Sequence, residues 1–345
     1  MCRIALLFVP LFVLAQPPAG RDLSLAEAQR LEDSLQKSPE DTTAHTTLLA
    51  YYFRNGLRDM APEKVKEARR RHILWLIEHH PEDRLAGALE ARVDLVGGSL
   101  ADPEGYVQAA AAWRKETAKP EASSALLTNA AHFFTLTENE FAASLLERAL
   151  KADPKDPDVA RNLARNYQMQ ARRAKDEAGR AALARKAFEQ MESAAKLATR
   201  PEERFYLLAD LAKMALDAGD PAKARGYATE LLEMAPQFPK NWNYGNAIHH
   251  GNLVLGRLAV RSGDLEKAKE HLLAAGKIPG SPQIKSFGPN MALALELLQK
   301  GERDAVIQYL ELCGEFWKMD RGKLDQWKAT VRGGGIPNFG ANLLY

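Results

Sequence analysis

Residues 252–276 read NLVLGRLAVRSGDLEKAKEHLLAAG, and their spacing decides the fold. Leu255-Gly256 is followed, seven residues after the glycine, by Gly263-Asp264, then by Ala268, Leu272 and Ala275. The same ruler fits three more times. Leu211-Ala212 leads to Gly219-Asp220, Ala224, Ala228, Leu231 and Pro236. Asn129-Ala130 leads to Thr137-Glu138, Ala142, Leu146, Ala149 and Pro154, and Leu293-Ala294 to Gly301-Glu302, Val306, Leu310 and Cys313. Prolines at 39, 81, 120, 154, 201, 236 and 279 punctuate the chain at comparable intervals. The repeat unit is about 34 residues, with insertions.

Each feature of the ruler has a physical reason. Gly256, Ala212, Ala130 and Ala294 let one helix approach its partner closely, and Ala268, Ala224 and Ala142 do the same from the other side. The Gly-Asp or Gly-Glu pair suits a short turn: glycine tolerates positive φ at a helix end, and the acid caps the next helix. Proline then stops the second helix. Elsewhere beyond Ala15 the chain is also rich in Ala, Leu, Glu, Lys and Arg, without alternating β-branched runs.

These residues resemble the tetratricopeptide repeat (TPR) family, of a secreted bacterial type. The match lies in the small residues, the turn and the closing proline, across roughly residues 41–317 and most clearly over 123–317. The large aromatic of that family is missing at Leu208, Leu126, Asn252 and Asn290, although Tyr167 and Tyr52 occupy it elsewhere. The resemblance implies an all-α fold, a right-handed superhelical solenoid of antiparallel helix pairs. Residues 16–122 read as degenerate helical repeats and 123–317 as TPR-like repeats with insertions near 168–180 and 237–251. Residues 318–345 read as a short helix and a Gly-rich tail.

Composition narrows the function. The 345 residues are 46% hydrophobic and 27% charged, and Lys+Arg 47 against Asp+Glu 45 leaves a formal charge of +2. This balance sets nucleic acid aside as an expected partner. Met1, Cys2 and Arg3 precede the apolar run 4–15, which is short for a bilayer span and broken by Pro10. Residues 1–15 therefore read as a signal peptide cleaved near Ala15, making the protein periplasmic or secreted with no stable membrane span. Cys313 alone then remains, so no intramolecular disulfide is expected and the thiol reads as buried.

Motifs for chemistry are absent. There is no GxSxG, phosphate-binding loop, HExxH or paired CxxC, so no catalytic residue, cofactor or metal is assigned. The run HILWLIEHHP, residues 72–81, is rich in histidine. Laying the ruler on Pro81 makes Ile73, Leu76 and Ile77 core positions and sets His79 and His80 at a helix end, where imidazole satisfies the last carbonyls. A metal role for His72, His79 and His80 stays open, as it does for His249 and His250 in the aromatic insertion, which reads as a surface loop. The basic run 68–72, ARRRH, reads as a solvated face.

In the family, the first helices of successive pairs line a concave groove holding an extended peptide. That resemblance places Arg161, Arg165, Lys213, Arg257 and Arg261 along one surface, with Phe134, Tyr206, Leu216 and Val260 as apolar neighbours. The implied function is a non-enzymatic scaffold whose partner is a protein or peptide of acidic character. Two other readings remain: an envelope enzyme acting on cell-wall glycan, which needs two carboxylates about 5 to 9.5 Å apart in a cleft, and a structural subunit with a large exposed apolar patch. Phe339, Leu343, Leu344 and Tyr345 follow a glycine hinge and are expected to fold back onto the last helices.

Overall fold

A computed structural model describes residues 23–344, so the leader read at residues 1–15 and Tyr345 lie outside the described residues. Every described regular element is helical, and the chain forms two compact units, residues 1–154 and 155–345. This boundary falls between repeats, some thirty residues after the change of character read at 122.

The first unit contains α1 (Leu25–Leu35), α2 (Thr42–Arg54), α3 (Gly56–Asp59), α4 (Pro62–His79), α5 (Pro103–Thr117), α6 (Ser124–Phe134) and α7 (Asn139–Ala152). The second contains α8 (Pro157–Arg173), α9 (Glu177–Lys196), α10 (Pro201–Asp217), α11 (Pro221–Met234), α12 (Tyr244–Ser262) and α13 (Leu265–Gly276). It continues through α14 (Pro282–Phe287), α15 (Ala292–Gln299), α16 (Arg303–Phe316) and α17 (Lys323–Arg332). Within each unit, successive helices pair and stack in TPR-like fashion, as the ruler requires.

The turn chemistry is as expected. Gly219 and Gly263 have φ near +81° and +82°, and Asp220 and Asp264 each accept a hydrogen bond from a backbone amide three residues on, at 3.0 Å. Close approach is real at Gly256, where a Cβ would lie 2.3 Å from Leu293 Cδ2 and 3.1 Å from His271 Cβ. Ala130, Ala142, Ala212, Ala224, Ala268 and Ala294 are all fully buried. The extra residues near 168–180 lengthen α8 and α9 to 17 and 20 residues instead of forming a loop.

Two local expectations are corrected. Residues 237–251 do not form a surface loop: α12 starts at Tyr244, and His249 and His250 are buried. Glycines make this possible, since a Cβ on Gly245 would meet Gly280 O at 2.3 Å and one on Gly251 would meet Leu232 Cγ at 2.8 Å. Nor is the run 68–72 a solvated face. Residues 80–102 hold little regular structure, and their polar groups need donors. Arg69, buried, donates to Glu90 O at 3.0 Å and Arg92 O at 2.8 Å, while Arg70 grips Asp102 through two bonds of 2.9 and 2.6 Å.

The tail folds back through Phe339 and Leu343, as expected, whereas Leu344 stays exposed. Phe339 is buried edge-on against Trp327, with ring centroids 5.0 Å apart. Asn342 Nδ2 donates to Pro289 O at 2.9 Å and Phe287 O at 3.2 Å, and its carbonyl accepts from Met291 N at 2.8 Å. Cys313 is buried and its thiol is pushed up by desolvation, as an unreactive core residue should be.

Candidate anion-binding concavity

The second unit carries a concavity of about 480 Å³, reached from α8, α9, α10, α12, α15 and the tail. Its cations are Arg172, Arg180, Lys213, Arg257 and Arg261, and Asp217 is its one carboxylate. Three of the five cations expected along the groove, Lys213, Arg257 and Arg261, are therefore brought together here. Arg161 and Arg165 are not. They lie on the same stripe of α8 as Gln168 and Arg172, but nearer its start; Arg161 pairs with Asp158 and Arg165 reaches Asp210 at 3.4 Å. Arg172 and Arg180 were missed because their place depends on the lengthening of α8 and α9.

The two arginines of α12 are held close together. Arg261 Nη1 donates to Leu216 O at 3.1 Å, which ties the end of α12 to the end of α10. Burial, and then the like charge of Arg257, lower the Arg261 pKa, although Glu296 and Asp217 pull the other way. Arg257 Nε donates to Glu296 at 2.8 Å, and Lys213 lies 3.1 Å from Asp210. Desolvation raises the Asp217 pKa although the charges of Arg257, Arg172, Arg261 and Lys213 all pull it down, and all four line the same concavity as this carboxyl. Burial would likewise raise Asp210, but Lys213 and Arg165 outweigh it and hold the carboxyl below its ordinary range.

The remaining lining is largely apolar: Ala171, Ala184, Ala187, Met214, Leu253, Val254, Ala292, Leu343 and Leu344. Beside it stands a buried polar anchor. His249 Nδ1–H donates to Ala275 O at 2.9 Å and its Nε2 accepts from Asn290 N at 3.1 Å, a pattern that only the neutral ring satisfies. Desolvation accordingly pushes its pKa down to about 4. The Asn290 carbonyl accepts from Tyr309 Oη at 2.9 Å, so this wall is fixed from two sides.

The apolar neighbours expected in the groove fare differently. Phe134 is fully buried in the first unit, against Phe133 and Phe141, and presents no surface; a bulky side chain facing its own helix pair belongs to the core. Tyr206 donates to Glu202 and accepts from Asn241, at 2.9 and 2.8 Å, and stacks on the exposed Trp242 away from the concavity. Leu216 is buried and Val260 packs against the C-terminal core.

The histidines of α4 are engaged one by one. His79 Nδ1 donates to Trp75 O at 2.9 Å, as a helix-end histidine should, and His80 Nε2 meets Thr42 Oγ1 at 3.0 Å. His72 is buried between His45 and Glu32. His45 Nε2–H donates to Pro39 O at 3.0 Å, which leaves its Nδ1 to accept from His72 Nδ1–H at 2.9 Å. Burial opposes ionisation of Glu32, yet His72, Tyr52 and Arg71 hold its carboxyl at about 2, so it accepts from His72 Nε2–H at 3.0 Å. Trp75 stacks on His45 with centroids 3.7 Å apart. Nothing in the spacing of the sequence announced Glu32 or His45 as partners. Among the described residues no group of three or more His, Cys, Asp or Glu is arranged to hold a metal ion.

Fold and concavity define an all-α helical-repeat protein with a cation-lined concavity. No family model matches the chain, and no curated protein matches it. Solved structures do. It is similar to the human IFIT1 dimer with PPP-AAAA and to the same dimer with m7Gppp-AAAA, each at 18% identity and a TM-score of 0.47, over 90% of this chain and 67% of that one. A monomeric IFIT1 mutant with m7Gppp-AAAA gives a TM-score of 0.43 at 18% identity, over 90% of this chain and 65% of that one.

One expectation is thereby corrected. Nucleic acid was set aside on the whole-chain charge of +2, whereas the similar solved structures are RNA complexes. The physical error lies in the averaging: near-neutrality of 345 residues does not describe a concavity whose lining holds five cations and one carboxylate. Among the described residues no helix is long and apolar enough to cross a membrane.

Proposed function

We propose that this protein is a non-enzymatic helical-repeat scaffold that binds an anionic ligand, an acidic peptide segment, in the concavity of its second unit. The observation that supports this reading is the convergence of Arg172, Lys213, Arg257 and Arg261 around Asp217. Neighbouring guanidiniums repel, and an anion placed between them relieves that repulsion while accepting charge-assisted hydrogen bonds. The walls come from packed helices, so little ordering is needed when the ligand arrives. A single lining carboxylate favours binding over glycan hydrolysis, which needs a pair. Export after removal of residues 1–15 belongs to the same proposal, and the mass of the mature chain recovered from cells tests it.

The direct test titrates the protein with a fluorescent Asp/Glu-rich peptide, the same peptide with Asn/Gln in place of the acids, and a 5′-triphosphate oligoadenylate RNA. Each titration is repeated on Arg257→Ala/Arg261→Ala. Charge-assisted contacts of about 1.5 kcal/mol or more each give a loss of at least roughly a hundredfold for the acidic peptide in the double variant. Equal binding of the acidic and amide peptides, or of wild type and variant, overturns the proposal. Tight, arginine-dependent RNA binding with weak peptide binding replaces the peptide by a polyphosphate ligand.

A further inference from the structure

The concavity is polarised along its length, and this bears on what its ligand carries besides charge. The four cations around Asp217 sit at one end. Arg172 is in the last turn of α8, Lys213 and Asp217 close α10, and Arg257 and Arg261 close α12. The bond from Arg261 to Leu216 O fixes these helix ends beside one another, and Arg180, in the first turn of α9, lies just across the turn from Arg172. Moving back along α12 the lining changes to Val254, Leu253 and His250. From Arg261 to His250 is eleven residues, or about 16 Å of helix.

The far end is apolar and rigidly held. Ala184 and Ala187 continue down α9 from Arg180, and Ala292, Leu343 and Leu344 come from α15 and the tail. Asn342 clamps the tail to the segment before α15, and Asn290 in that segment is fixed by His249 and Tyr309. The ring of His250 is buried here, and desolvation drives its pKa well below the ordinary value, so this end gains no charge near neutral pH. Leu344, 52% exposed, forms the rim of this end.

We infer that the concavity takes an amphipathic anion, with a carboxylate or phosphate head among Arg172, Arg257 and Arg261 and an aliphatic portion lying along Leu253 and Val254 toward Leu343 and Leu344. This rests on the anion-binding proposal and narrows its ligand. A purely acidic segment would leave the apolar half in contact with water, whereas an alkyl chain covers it. Each methylene buried there strengthens binding by roughly fourfold.

The test is calorimetric titration of the full chain with butanoate, hexanoate and octanoate, with inorganic phosphate and octyl phosphate, and with octanol. Wild type is compared with Leu253→Asn, Leu343→Asn and Arg257→Ala/Arg261→Ala, each checked for folding by circular dichroism. Affinity is expected to rise by roughly a hundredfold or more from butanoate to octanoate, and octanol is expected to bind far more weakly than octanoate. Leu343→Asn, at the rim, should flatten the chain-length dependence without abolishing binding of the short anions. Anion binding that depends on Arg257 and Arg261 but not on chain length overturns this inference and leaves the anion-binding proposal standing. Loss of arginine dependence for every ligand overturns both. Co-sedimentation with phosphatidylcholine vesicles doped with octadecanoate separates the sources: capture identifies an acyl chain drawn from a bilayer, and binding of free octanoate without capture identifies a soluble acid.

Discussion

Lowering the pH from 7 to 5 is expected to remove stability from the second unit through His249. In the folded chain this ring is buried, donates to Ala275 O and accepts from Asn290 N, so protonation costs it an acceptor as well as its desolvation. Its folded pKa is depressed from 6.5 to about 4. Because the unfolded chain takes the proton first, the stabilisation is fully present above 6.5 and is lost as pH falls toward 4. Linkage over that interval gives a loss of about 2 kcal/mol by pH 5 and about 3 kcal/mol by pH 4. The assay is urea unfolding at half-unit pH steps, comparing wild type with His249→Gln. His250 and His271 in the same unit, and His45 and His132 in the other, are also depressed by burial. They contribute to both proteins and largely cancel in the difference. Carboxylates with lowered pKa values, such as Glu192, lose their stabilisation in a more acidic window, below about 4.5. The variant is less stable at pH 7, and the gap to wild type should shrink by about 2 kcal/mol at pH 5. A gap independent of pH would refute the neutral, doubly hydrogen-bonded assignment of His249.

Other outcomes follow from the same structure. Gly256→Ala gains up to about 1 kcal/mol of helix propensity but forces its Cβ onto Leu293, so a net loss of about 1 to 2 kcal/mol is expected in denaturant unfolding, and a smaller loss when the same change is made in a Leu293→Ala background. Glu32→Ala removes the acceptor shared by His72, Tyr52 and Arg71 and should cost about 3 kcal/mol in thermal or urea unfolding, whereas Glu78→Ala on the exposed face of α4 should cost under about 0.5 kcal/mol. Asn342→Ala releases the tail clamp, and faster proteolytic cleavage within residues 333–344 is expected, with a loss of about 1 to 2 kcal/mol. Cleavage at the wild-type rate would show that the tail is held without the Asn342 side chain.

What the sequence determined is everything that depends on local periodicity. The spacing from Leu-Gly to Gly-Asp to the second-helix alanines is a property of helices and tight turns, so it located the pairs from α6 onward, their turns and their close contacts. The same logic placed His79 at a helix end, because its bond to Trp75 O is made within one turn. Tertiary structure alone decided which polar side chains meet across the fold. His72 found Glu32 forty residues away, Asn342 found Pro289 fifty-three residues away, and neither spacing carries a local signal. The groove cations divide along the same line. Their stripe on α8 was legible, but Arg161 and Arg165 fall outside the concavity while Arg172 and Arg180 enter it, since two lengthened helices set where it opens. Helix periodicity fixes the direction of a side chain from its own axis, and only the packing of one axis against another fixes what it faces.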